Sequence, residues 1–253
     1  MRTLLVGIFA LAACSTGEAV PSADDGSGGG GGGGDPQIQQ DYDDVAAAVG
    51  VNLETGELAA MVDAVDLAYG RVPAGFTLDP AGTLTGSRGG LEVQYTSYCR
   101  DAADAVAPCD GAETEEHVRV QWTGSIASAS GAVDGLTRDG EWIVRDVATP
   151  TPRVGGDGTT AFTATLATGT YDVSVMDAFD RVLFDAVNPA VPIGGGTMDL
   201  ELTVHRTRDA VGDRDFAMAA HIELTGRDAA TINLDGVHTY DLTVSTGVVV
   251  RVQ

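Results

Sequence analysis

A mainly β fold is predicted: an antiparallel meander forming a curled sheet, barrel or sandwich, with one or two short N-terminal helices packed on it. Three observations predict it. From about Thr77 onward, apolar and polar residues alternate with period two, as in strands with one buried and one wet face. Gly- and Asp-containing turn sequences punctuate these runs. Only the region before Tyr69 carries a period near 3.6, and it is short.

Taken in order, the helices come first. Asp41 can cap a segment from Tyr42 to about Val49, with Asp43 and Asp44 in its first turn. Thr55 reads as the cap of a second helix, Gly56 to Tyr69. Its residues Leu58, Met61, Val62, Val65 and Tyr69 share one face, and Glu57, Asp63 and Asp66 form a polar face. Gly70 follows as a C-terminal glycine, with Pro73 beyond. Among the strands, Leu91, Val93 and Tyr95 alternate with Glu92, Gln94 and Thr96, and Val118, Val120 and Trp122 alternate with Arg119 and Gln121. Met198 to Val204 and Phe216 to Leu224 behave alike. About ten to twelve strands are expected, too many for one flat sheet.

Arg138-Asp139-Gly140-Glu141, Thr168-Gly169 and Asp235-Gly236 read as hairpin turns, and Thr149-Pro152 with Gly155-Gly158 reads as a long loop. At the last hairpin, a three-residue loop with Gly236 left-handed is expected to set Ile232 opposite His238. That keeps Ile232 on the face of Tyr240 and Leu242.

Ahead of the helices, Arg2 precedes the apolar run Leu4 to Ala10, too short for a stable membrane span, and the run ends in Leu11-Ala12-Ala13-Cys14-Ser15. This stretch resembles the lipobox of bacterial lipoproteins. The resemblance implies cleavage before Cys14 and acylation of its thiol, which would anchor the chain firmly in lipid. Ser15, where an Asp would imply inner-membrane retention, implies the outer membrane of a Gram-negative envelope. Residues 15–40 include seven consecutive glycines, Gly28 to Gly34. Such a segment cannot bury enough apolar surface to fold, so a tether spanning roughly 25–30 Å is expected. The expected organisation is a signal peptide at 1–13, a lipidated tether at 14–40 and a single β domain at 41–253, with helices within 42–69.

There are 37 Asp and Glu residues against 14 basic ones, all arginine, for a net charge of −23. An acidic body of this kind is repelled by phosphate backbones, so nucleic acid is not expected as a partner. With Cys14 assigned to lipid, Cys99 and Cys109 remain as a disulfide pair in an oxidising compartment. Asp101, Asp104, Asp110 and Glu113 crowd the loop that this pair closes. They supply the oxygens calcium needs, but not the alternating D-x-[DN]-x-[DN]-G spacing. No other cofactor is expected. The four histidines form no zinc pattern. His117 reads as solvated, and His221 as a cross-strand partner of Glu201. Trp122 and Trp142 read as core. Sequences that mark a hydrolase nucleophile or a phosphate loop are absent.

The function expected is therefore a membrane-anchored envelope lipoprotein carrying a non-catalytic binding or scaffolding β domain. A carrier of a hydrophobic ligand, similar to periplasmic half-barrels that shuttle lipids, is the first alternative. A carboxylate-based hydrolase is the second.

Overall fold

A computed structural model describes residues 35–253 except 101, 102, 104, 108, 110–113, 128–130, 148, 188–191, 210 and 253. Among these residues the fold is mainly β: thirteen antiparallel strands in one curled sheet that does not close, with an N-terminal helix packed on it.

The helix is one continuous rod rather than two short pieces. Helix α1 runs Pro36–Asn52, a single π turn covers Leu53–Glu57, and α2 runs Leu58–Ala68. It starts at Pro36, inside the segment expected to be tether. Asp35 caps it, accepting from the Gln37 N–H at 2.9 Å, and proline suits the first helical position because it has no N–H to leave unpaired. Asp41 is therefore no cap but lies one turn inside. Thr55 is no cap either. Its hydroxyl donates to the Val51 carbonyl at 2.9 Å, within the π turn. At the far end Gly70 takes φ +67° and closes the helix, as expected.

The sheet is a meander: β1 (Phe76–Leu78), β2 (Thr83–Arg88), β3 (Leu91–Arg100), then β5 (Glu115–Ala127) through β13 (Val248–Arg251), each pairing with the next. The short β4 (Val106–Ala107) pairs with the end of β3 and carries the chain to Cys109. The sulfurs of Cys99 and Cys109 lie 2.02 Å apart, at disulfide distance.

The central strands are long: β6 spans Ala132–Arg145, β7 Arg153–Leu166, β8 Gly169–Leu183, β9 Thr197–Thr207 and β10 Arg214–Gly226. Two expected breaks disappear into them. Arg138 to Glu141 lies in the middle of β6 and Gly155 to Gly158 inside β7, in continuous register with each other. Glycine here provides space instead of a turn. A Cβ at Gly156 would collide with the Glu141 carbonyl, and one at Gly140 would sit 2.7 Å from that of Asp157. The β7–β8 turn falls on Ala167-Thr168, one residue before the expected position.

The hairpin between β11 (Ala229–Leu234) and β12 (His238–Thr243) has the expected three-residue loop. Its register differs from expectation. Leu234 faces His238 and Ile232 faces Tyr240, so Ile232 still shares the buried face.

One apolar core fills the concave side. Helix residues Val45, Val49, Met61 and Val65 pack there with strand residues that include Trp122, Trp142 and Leu202, all at most 2 % exposed. The helix touches strands towards both ends of the sheet, from β3 to β13, so the sheet wraps around it. At Gly50 the approach is so close that a Cβ would lie 2.6 Å from the Val249 side chain. This wrapping overturns the expected wet helix face: Glu57 is 2 % and Asp63 0 % exposed.

Candidate functional site

Because the sheet surrounds the helix, acids all along the rod meet cations and phenols on the strands. Asp41 accepts from Arg206 at 2.9 Å, Asp43 from the Tyr240 hydroxyl at 2.8 Å and Asp44 from Tyr171 at 2.5 Å. Farther along, Asp63 accepts from Arg88 at 2.5 Å and from Tyr95 at 3.0 Å. Burial pushes the Asp63 carboxyl up to about 6, with Arg88 and Tyr95 opposing the shift.

The π turn makes the most buried of these contacts. It delivers Glu57 to Arg138, 3.4 Å away, which also donates to Asp177 at 2.5 Å. The Arg138 side chain is fully buried, with Trp122, Trp142 and Phe179 ring centres 5.7, 5.9 and 5.8 Å from the guanidinium carbon. It lies over Gly140 and Gly158, which face each other in β6 and β7. A Cβ at Gly158 would overlap the guanidinium. Burial pushes Glu57 up to about 7, against the attraction of Arg138, and Asp177 is raised by the same cause. Cluster atoms without a hydrogen bond among the described residues include Glu57 Oε2, Asp177 Oδ1 and Arg138 Nε. It is a closed ionic junction between helix and sheet, and no pocket joins Glu57 to solvent among those described.

A solvent-accessible concavity lies on the other side of the same strands. A groove of about 930 Å³ crosses the outer face of β3 and β5–β8. Gly140 and Gly158 line it with backbone alone, so at this point one layer of peptide separates the groove from Arg138. Strand register builds its floor from two rows. One runs Gln94–Gln121–Asp139–Thr159–Met176, and the other Thr96–Arg119–Glu141–Asp157. Val106, on the disulfide-closed segment, stands at one end and is 67 % exposed; Met176, 57 % exposed, stands at the other. Two further concavities, of about 810 and 570 Å³, continue the groove beyond Met176 over β9 to β11.

Near the Val106 end, His117 is 6 % exposed and not solvated as expected. Its Nδ1 lies 2.8 Å from Glu141 and its Nε2 3.3 Å from Glu115, and Tyr98 stacks on its ring. The Tyr98 hydroxyl also donates to Glu141. Burial raises the Glu141 carboxyl, but the hydrogen bonds from Tyr98 and His117 outweigh it and hold the group below its ordinary value. His221 pairs with Asp199 at 2.7 Å rather than with Glu201, because β9 and β10 set Glu201 opposite Ala219.

Trp122 and Trp142 are core residues, 2 % and 0 % exposed. Cys14 and the calcium candidates Asp101, Asp104, Asp110 and Glu113 lie outside the described residues. Within those described, no group of three or more His, Cys, Asp or Glu side chains could hold a metal ion. Sequence reasoning missed Arg138 and Asp177. The available signal was phase: each occupies an inward position between apolar neighbours, Leu136 and Trp142 for one, Val175 and Phe179 for the other. No protein-family model, curated sequence or solved structure matches the chain.

Proposed function

We propose that the chain is an exported lipoprotein, held to a bacterial envelope membrane through lipid on Cys14. Its β domain is a non-catalytic binding module whose contact surface is the outer-face groove. One observation carries the binding role: the concave face of the sheet is filled by its own helix, whereas the groove across β3 and β5–β8 is open and lined by exposed polar side chains. A hydrophobic-ligand carrier would use the concave side, where the described packing is continuous core.

The anchor is tested by fractionation. Wild-type protein is expected in the membrane pellet with incorporated labelled palmitate, and the Cys14→Ser variant in the soluble fraction without it. A Cys14→Ser protein that stays with the membrane refutes the anchor. Turnover of any substrate by the purified domain, abolished by Glu141→Gln, refutes the non-catalytic assignment.

A further inference from the structure

We propose that the groove takes a neutral, polyhydroxylated chain, a glycan, rather than an ionic ligand; this rests on the groove being the binding surface. The argument begins with charge. Of the ionised groups on the groove floor, Arg119, Asp139 and Glu141 are each engaged, and Asp157 is a carboxylate without a partner among the described residues. Arg119 and Asp139, diagonal neighbours on β5 and β6, lie 3.4 Å apart, both more than half exposed. Gln121 donates to the same Asp139 carboxylate at 3.4 Å. Glu141 is engaged by Tyr98 and by His117. An anion would meet three floor carboxylates against one arginine, and a polycation would find one unengaged carboxylate, Asp157. Polyanions meet the additional repulsion of a body with net charge −23.

A hydroxylated ligand needs no countercharge. Carboxylates, carboxamides and a guanidinium present paired acceptors and donors that suit neighbouring hydroxyls. The Arg119–Asp139 contact is long and exposed, so its members can turn to a ligand at small cost. Apolar contacts for the C–H faces of sugar rings stand at both ends, Val106 and Met176. The shape favours a chain over a single sugar. The row from Gln94 to Met176 crosses five strands, β3 and β5 to β8, about 19 Å at the usual strand spacing. The concavities beyond Met176 leave that end open for the chain to continue.

The test uses the full chain carrying Cys14→Ser, in titration calorimetry with soluble hexasaccharides: β-1,4-glucose, β-1,4-N-acetylglucosamine, α-1,4-glucose and β-1,4-xylose. Decalysine serves as the cationic probe and laurate as the acyl probe. At least one hexasaccharide is expected to bind, with affinity changing less than about twofold between about 50 mM and about 500 mM salt. Adding Gln121→Ala and Asp139→Ala should weaken it at least about tenfold, with the thermal midpoint unchanged. Absence of hexasaccharide binding, or binding that survives both substitutions, overturns the glycan assignment. If decalysine binds instead and the substitutions abolish that, the groove remains the binding surface and only the ligand class is wrong. If the substitutions affect none of the probes, the groove reading falls as well.

Discussion

Replacing Arg138 by Met removes the cation between Glu57 and Asp177 but keeps an unbranched apolar chain among Trp122, Trp142 and Phe179. Losing the cation leaves two buried carboxyl groups without their partner, at a cost of about 3–5 kcal/mol at pH 8. Acid relieves the deficit. A carboxyl that is neutral in the folded variant but charged when unfolded recovers about 1.4 kcal/mol per pH unit. Two such groups recover about 8 kcal/mol between pH 8 and pH 5. In the wild-type cluster Arg138 opposes protonation of both acids, and Glu57, at about 7, recovers only about 3 kcal/mol over the same range. The extra recovery, up to about 5 kcal/mol, offsets the deficit, so the variant should match or overtake wild type at pH 5. The assay is urea unfolding of the Cys14→Ser chain followed by the fluorescence of Trp122 and Trp142, with the denaturant slope checked for constancy. A destabilisation below about 1 kcal/mol at pH 8, or one equal at both pH values, refutes the account of the cluster.

Wild-type stability should itself fall as pH rises. Glu57 and Asp63 bind protons more tightly folded, at about 7 and about 6, than at their ordinary 4.5 and 3.8, so their contribution is greatest in acid and is lost on passing through the folded values. A decline of a few kcal/mol from pH 5 to pH 8 in urea titrations is expected, and a rise would contradict it. Gly158→Ala should cost about 1–3 kcal/mol by forcing Arg138 aside, and its cost should shrink in an Arg138→Met background; additive effects in a double-mutant cycle would separate the two residues. Reducing the Cys99–Cys109 pair, separated by ten positions, should cost about 2–3 kcal/mol, read as a lower urea midpoint in reductant.

Strand faces were legible where alternation was unbroken. Val118, Val120 and Trp122 turned inward as their pattern required, because a strand whose core face is apolar tolerates no slip. The hairpin at Gly236 was legible for a local reason: a left-handed φ, +71° here, favours glycine. Illegibility began where a residue answers to something distant. Gly140 and Gly158 look like turn residues because the usual reason for an Asp-Gly pair is local, whereas here the reason is close approach, of the Asp157 carbonyl at Gly140 and of the Arg138 guanidinium at Gly158. Thr55 looks like a cap, yet its hydroxyl sits inside a π turn that rotates Glu57 towards a strand a hundred residues away. The groove was illegible for a similar reason. Its two rows join residues from separate strands, and only register places them side by side.

By itself the sequence determined the β class, the inward set of most strands, the Cys99–Cys109 pairing and an acidic surface. These follow from backbone period, turn sterics and composition, which act over a few residues or over the whole chain at once. Tertiary structure alone decided that the helix runs unbroken from Pro36 through Ala68, that Glu57 and Asp63 are buried, and that the free concavity lies on the outer face. The physical reason is that a side chain's solvation depends on what is packed against it. A sheet curled around its own helix buries both sides of that helix, and no periodicity within the helix records that the second side is covered.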